Sequence, residues 1–349
     1  MHREKKMKRN LNFDLLNVIC CFCVVMMHGS GVTWIYAAKP YWYSSLAVDV
    51  LCYFSVPCFF MISGATLLDY HKRYDTKTFL KKRITRTLVP YIFWALFYLL
   101  ISIIVGNVIL TNLFSWNENG LIYQVYNAIV NYSSQSIFWY FPALFNVYLC
   151  IPILSHLCGT EKNHIRWYAI LLSFISIICI PSAYNFLGSN LAPYKQLYCM
   201  GGYLIYVLLG YQLYNEKIPK WAERTIHITA FICLFLKYAG TVYFSGVVGE
   251  TSKQFMNYLT IWAIFPSASV FLLIQKIKIP KKNTNILKLL SSCSLSVYLI
   301  HKLFFSILSK FLSPFSIIYR TLGVLCVYCI CIAISLLMKK IPFVRKLFP

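Results

Sequence analysis

Ten long apolar runs constrain this chain more than any other feature of its sequence. A helix needs about 20 apolar residues to cross the hydrocarbon core of a membrane, and it satisfies its own backbone hydrogen bonds there. The chain is 59% hydrophobic and 12% charged, whereas soluble domains carry about 25% charged residues. The sequence therefore predicts an all-α polytopic membrane protein with about ten transmembrane helices. The runs lie near residues 11–36, 46–68, 88–110, 136–157, 167–186, 198–214, 225–246, 255–275, 289–311 and 315–338.

The positions of the basic residues predict how these spans are oriented. With the N-terminus inside, the inner segments hold 26 of the 33 Lys and Arg residues and the outer segments hold four. Cytoplasmic loops of membrane proteins are enriched in Lys and Arg, so we expect both termini in the cytoplasm. The net charge of +23 comes from these loops and does not indicate nucleic-acid binding. The inner segments are 1–10, 69–87, 158–166, 215–224, 276–288 and 339–349.

The segments between the runs are too short to form a separate soluble domain. The longest, 111–135, is expected to hold either a short helix on the membrane surface or a re-entrant segment. Residues 1–349 are therefore predicted to form a single membrane-embedded domain. Thirteen of the fourteen cysteines lie within apolar runs, where a thiol packs as a small hydrophobic group. Neither a disulfide nor a metal site is expected.

Ionisable side chains inside the runs are the first candidates for a functional site, because charge is costly within lipid. Asp14 and His28 lie fourteen residues apart in the first run. In an α-helix this spacing returns to nearly the same face, about 21 Å further along the axis. Asp49 opens the second run, where three readings stay open: it orients His28, binds a sugar hydroxyl, or is a carboxylate favoured by a helix start. Lys237, in the seventh run, must pair or face water.

Five short phrases follow one another along the chain in an order that is typical of one family. They are Asp14, Asn17 and His28 in the first run, VPCFFMISGATLL at 56–68, RITR at 83–86 ahead of Pro90, WYFPAL at 139–144, and SSCSLSVYLIH at 291–301. Together they resemble the acyltransferase-3 family of integral membrane acyltransferases, of the bacterial type that O-acetylates surface polysaccharides. Asn17 stands where this family has an arginine.

The resemblance implies a function as well as a fold. It implies a membrane O-acyltransferase, expected to be an O-acetyltransferase, in the cell's inner (cytoplasmic) membrane. An acyl group would pass from cytosolic acetyl-CoA to a hydroxyl of a cell-surface polysaccharide or lipid-linked glycan, so the partners would be membrane lipid and a glycan or glycolipid acceptor. His28 would be the general base, since imidazole titrates near neutral pH. Further catalytic candidates are Asp49 and His301, and candidates for binding the donor are Arg83, Arg86, Asn17 and Asp14.

Arg83 and Arg86 lie in a loop with seven basic residues, at 69–87. Three residues apart, they are expected on one face of a short helix, from which their guanidinium groups could bind phosphate. An ordinary positive-inside loop that attracts anionic lipid is the alternative. Asp14 is expected near this loop, with these arginines as its salt-bridge partners.

Two other functions are compatible with these features. A polytopic transporter or exporter of a polysaccharide or lipid-linked precursor would also carry polar residues inside its spans. Such a protein would lead one to expect inverted repeats and broken helices, and no repeat is visible in the sequence. A catalytically inactive scaffold is suggested only by Asn17. Ser63 and Gly64 in the second run either permit a close helix approach or line a donor channel.

Overall fold

The protein is described by a computed structural model, which covers residues 9–105, 120–186 and 201–349. These residues form helices joined by turns and loops, with no strand among them. In chain order the α-helices are α1 Leu11–Gly29, α2 Pro40–Cys52, α3 Ser55–Leu67, α4 Thr76–Arg83, α5 Val89–Val105, α6 Gly120–Val130, α7 Tyr140–Leu154, α8 Asn163–Ser173, α9 Ile180–Phe186, α10 Leu204–Asn215, α11 Lys220–Val248, α12 Ile261–Gln275, α13 Thr284–Leu308 and α14 Val324–Lys339.

Eight helical stretches in the described residues are long and apolar enough to cross a membrane. The predicted runs at 198–214 and 255–275 coincide with two shorter helices, α10 and α12, although residues 198–200 lie outside the described part. The prediction of an all-α polytopic membrane protein is confirmed. The eight stretches are Leu11–Gly29, Pro40–Lys72, Thr76–Ile104, Ser136–Leu157, Thr160–Tyr184, Lys220–Val248, Lys281–Leu308 and Tyr319–Lys339.

Prolines decide where several of the predicted spans bend or break. A proline lacks an N–H, and its ring clashes with the carbonyl four residues earlier in an α-helix. Wide π-helical turns accordingly occur at Ile84–Leu88 and Phe174–Cys179, just ahead of Pro90 and Pro181. The predicted second span is interrupted at Tyr53, four residues before Pro57, so it consists of α2 and α3.

The helices group into two compact units, each built from two separate stretches of the chain. The first contains Met1–Thr76 and Cys150–Ser291, and the second contains Lys77–Leu149 and Ser292–Pro349. A single domain over residues 1–349 stays a prediction.

In the first unit, α3 and α10 pack backbone against backbone. A Cβ added to Gly64 would lie 1.9 Å from the carbonyl oxygen of Val207, and one added to Gly210 would lie 2.2 Å from that of Met61. Glycine is therefore required at both positions. The contact supports the close-approach reading of Gly64.

In the second unit, α6 packs against α5 and ends beside the first turn of that helix. The hydroxyl of Tyr91 donates a hydrogen bond to the carbonyl oxygen of Ile129. Large apolar side chains of α6, such as Ile122 and Tyr126, are exposed, whereas its buried side chains are Gln124 and Ala128. An outward apolar face suits contact with lipid, and the end of α6 contacts the first turn of α5. Both readings of the segment 111–135, the re-entrant segment and the surface helix, stay predictions. Residues 111–119 of that segment lie outside the described residues.

Candidate functional site

His28 lies near the end of α1, on the same side of that helix as Asp14. The helix is unbroken from Leu11 to Gly29, so the predicted shared face is confirmed, with the two residues about 21 Å apart along the axis. The His28 side chain is part-buried. A short 3-10 helix, Gly31–Trp34, begins three residues after His28, and its Trp34 ring is half exposed.

Asp49 is buried on α2, the helix that follows α1 and contacts it. Its predicted roles of orienting His28 or binding a sugar hydroxyl stay predictions.

The electrostatic partner that the structure gives Asp49 is Lys237, on α11. Both side chains are buried, and Lys237 is fully so. They interact through their charges. Asp49 Oδ2 and Lys237 Nζ nevertheless have no hydrogen-bond partner in the described structure. The ammonium lies over the ring of Tyr53, 2.8 Å from its centroid.

The reading of Asp49 as a carboxylate at a helix start is wrong. Helix α2 begins at Pro40, six residues before the predicted run, because proline is well suited to the first turn of a helix. Asp49 consequently lies deep in α2, where the helix dipole cannot stabilise its charge. The sequence indicates that Lys237 needs a partner, but it does not identify Asp49 as that partner.

At the opposite end of α1, Asp14 and Asn17 bond to Ser291 of α13. The Ser291 hydroxyl donates to Asp14 Oδ1 at 2.8 Å and accepts from Asn17 Nδ2 at 3.0 Å. Arg9 holds both oxygens of Asp14 at 2.7 Å. The expected salt bridge from Asp14 to the arginines of the loop 69–87 is therefore corrected: its partner is Arg9. This network joins the first family phrase to the start of the last one.

Arg83 and Arg86 differ in their surroundings. The Arg83 guanidinium lies 5.6 Å from the ring centroid of Phe79 and 5.5 Å from that of Tyr148. Its buried Nε has no hydrogen-bond partner in the described structure, whereas Arg86 is exposed. Arg83 is the last residue of α4, and Arg86 lies within the π turn Ile84–Leu88 that follows it. The expectation that both share one face of a short helix stays a prediction. Arg83 is thus the better-ordered candidate for binding a phosphate group.

His301 is fully buried on α13. Its Nδ1 lies 3.1 Å from the carbonyl oxygen of Val297 and 2.8 Å from that of Tyr298. Because a carbonyl oxygen can only accept, Nδ1 carries the hydrogen, and Nε2 is the basic nitrogen. Neighbouring Tyr298 donates its hydroxyl hydrogen to the carbonyl of Ile137. A packed, hydrogen-bonded histidine fits these contacts, and a catalytic role for His301 stays a prediction.

Sequence reasoning missed three further buried polar side chains, all in the second unit. They are Gln124 on α6 and, after that helix, Ser134 and Gln135. Each has at least one buried polar atom without a hydrogen-bond partner among the described residues. The inverted pattern of α6, with a polar residue opposite Ile122 and Tyr126, was the signal in the sequence.

Arg166 of α8 was also missed as a buried group. Its guanidinium donates to Gln212 Oε1 at 2.8 Å and to Glu216 Oε1 at 2.9 Å. It also bonds to the carbonyl oxygens of Leu157 and Gly159. Each of the three guanidinium nitrogens donates a hydrogen bond to an acceptor in the first unit. The bond to Gln212 joins α8 to α10. In the part of the chain that the structure describes, no three His, Cys, Asp or Glu side chains come together to hold a metal ion.

These observations define an integral membrane protein with ionisable groups held inside a helical bundle. The model of the acyltransferase-3 family, described as an acyltransferase domain, matches residues 10–338. The chain belongs to this family and is a membrane acyltransferase. No curated protein and no solved structure matches it.

Proposed function

We propose that the protein is an O-acetyltransferase that moves an acetyl group from cytosolic acetyl-CoA to a hydroxyl of a cell-surface polysaccharide or lipid-linked glycan. The observation that carries the proposal is the acyltransferase domain match over residues 10–338, which includes a part-buried histidine near one end of an apolar helix. Placing an ionisable side chain in such a helix is energetically costly, so a residue of this kind is a candidate for a functional site.

His28 acts as the general base in this proposal. Its imidazole takes the proton of the acceptor hydroxyl while the hydroxyl oxygen attacks the carbonyl carbon of the thioester. The tetrahedral intermediate then expels the thiolate of coenzyme A as the C–S bond breaks, and the imidazolium returns the proton to that sulfur. A base with a near-neutral pKa is suited to both transfers.

The donor is held by Arg83, with Arg86 in a lesser role. A guanidinium that contacts two aromatic rings loses little conformational freedom when it binds a phosphate, and its unpartnered Nε supplies a donor for that bond. Asp14 and Asn17 stay candidates for binding the donor, and their side chains bond to Arg9 and Ser291. Asp49 and His301 stay catalytic candidates.

The acceptor is proposed to approach the opposite end of α1, where His28 lies. Trp34, half exposed six residues beyond His28, offers an aromatic face of the kind that stacks on sugar rings. The distribution of basic residues predicts that the loop with Arg83 is cytoplasmic, so donor and acceptor would arrive from opposite sides of the membrane.

The test is acetyl transfer by the purified protein from labelled acetyl-CoA to isolated cell-surface polysaccharide. His28→Ala is expected to lower kcat by about 10²–10⁴-fold, the usual contribution of a general base. His164→Ala, at an exposed position on α8, is the matched control and should keep full activity. Full activity of His28→Ala would refute His28 as the base, and absence of transfer by the wild type would refute the acetyl donor or the acceptor class.

A further inference from the structure

The second unit contains a group of buried polar side chains that no hydrogen bond explains. Gln124, Ser134 and Gln135 are each at most 2% exposed. Four of their atoms lack any partner in the described structure: both terminal atoms of the Gln124 amide, the Ser134 hydroxyl and the Gln135 amide nitrogen. Buried polar groups in proteins are almost always bonded to protein, water or a ligand. A set of four in one short segment indicates a polar occupant.

The segment that carries these side chains contacts Tyr91 of α5 twice. The first contact is at Ile129, whose carbonyl accepts the hydroxyl hydrogen of Tyr91. The second is at Phe138, whose ring centroid lies 5.7 Å from that of Tyr91. Between them Tyr132 adopts a positive φ of 44°, which reverses the chain after α6. Ser134 and Gln135 are therefore held beside the first turns of α5.

Tyr91 lies a short distance from Arg83 along the helix. The chain is helical from Thr76 to Ile104, and Tyr91 is eight residues beyond Arg83, or about 12 Å along the axis. The far end of the segment reaches α13, since Tyr298 donates its hydroxyl hydrogen to the carbonyl of Ile137. An elongated ligand with its phosphate at Arg83 would thus pass the unpartnered amides on its way towards the turn of α13 that carries His301.

We propose that Gln124, Ser134 and Gln135 form a binding site for the pantetheine arm of the acyl-CoA donor, a subsite that rests on the proposed function. The arm has two amides and a hydroxyl, and these groups match the donors and acceptors left open by two carboxamides and a hydroxyl. Its length equals that of four or five residues of extended chain, roughly 15 Å, which covers the separation of about 12 Å between Arg83 and Tyr91. Amide groups in an apolar surrounding need such partners, because water cannot replace them there.

The test compares three ligands on the purified wild type and on the double variant Gln124→Leu with Gln135→Leu. Coenzyme A is expected to bind the variant about tenfold or more weakly, which corresponds to about 1.4 kcal/mol. Free pantetheine should lose binding in parallel, and adenosine bisphosphate, the nucleotide half of coenzyme A, should bind both proteins equally. Gln275→Leu, in the first unit, and Ser133→Ala, the exposed neighbour of Ser134, are the matched controls and should bind as the wild type does.

Thermal unfolding distinguishes a lost subsite from a misfolded protein. Because leucine removes unsatisfied polar atoms from an apolar interior, the variant without ligand should unfold at or above the wild-type temperature, while its stabilisation by coenzyme A should shrink. Unchanged affinity for coenzyme A would overturn the subsite and leave the proposed function standing. Equal losses for coenzyme A and adenosine bisphosphate would also overturn it. Failure of the wild type to bind coenzyme A would overturn the donor assignment together with the subsite.

Discussion

Replacing Gly64 by alanine should destabilise the first unit by forcing α3 and α10 apart. The added Cβ would lie 1.9 Å from the carbonyl oxygen of Val207, and real Cβ contacts are essentially never shorter than 3.0 Å. The two backbones would have to separate by at least about 1 Å, because neither atom belongs to a flexible side chain. Overpacking in a close-packed interior typically costs about 1–3 kcal/mol, and a backbone contact favours the upper part of that range. At about 2–4 °C for each kcal/mol, unfolding should begin roughly 4–12 °C lower.

The double variant with Gly210→Ala tests the geometry more sharply. Gly210 meets Met61 at the same crossing, one turn away from the contact of Gly64 with Val207. One separation of the helices relieves both clashes, so the double variant should cost much less than the sum of the single variants. Thermal unfolding of the purified protein measures all three, with Gly31→Ala as the control, since a Cβ at Gly31 would meet no atom within 4 Å. A wild-type unfolding temperature for Gly64→Ala, or strictly additive losses, would refute the crossing.

Three further predictions follow from single side chains. Arg83→Lys should raise KM for acetyl-CoA about tenfold in a transfer assay and Arg86→Lys much less, because Arg83 contacts two aromatic rings whereas Arg86 is exposed; equal effects would contradict this. Lys237→Met should lower the unfolding temperature, because it removes the side chain that offsets the burial of Asp49, and adding Asp49→Asn should restore much of that loss. Arg166→Met, which removes a buried guanidinium from a part-buried ion pair, should cost about 1.5–3 kcal/mol in the same assay, and an unchanged unfolding temperature would show that the pair does not hold α8.

The helical fold was predictable from the sequence because apolar length alone determines which segments can cross a membrane. Each of the ten predicted runs coincides with a helix in the described residues. The bends and breaks within the spans were less predictable, because a proline disturbs the helix about four residues before its own position. Pro57 divides the second span at Tyr53, and Pro90 follows the π turn that contains Arg86.

The candidate site was predictable only in part, because burial and pairing depend on contacts between distant helices. Asp14 and His28 share a face of α1 as predicted, since both lie in one unbroken helix. The bond of Asp14 to Arg9 is a local contact over five residues at the start of α1, and the sequence prediction placed the partner of Asp14 in the wrong loop. The pairing of Asp49 with Lys237 joins α2 to α11, and only tertiary packing brings these two residues together.

The central claim is that this membrane acyltransferase uses His28 as the base for transfer from acetyl-CoA to a glycan hydroxyl. The most direct test reconstitutes the purified protein in liposomes, supplies labelled acetyl-CoA on the side of the Arg83 loop, and measures label in polysaccharide on the other side. We expect transfer by the wild type and by His164→Ala, and a transfer rate at least about 10²-fold lower for His28→Ala. Transfer by His28→Ala at the wild-type rate would contradict it.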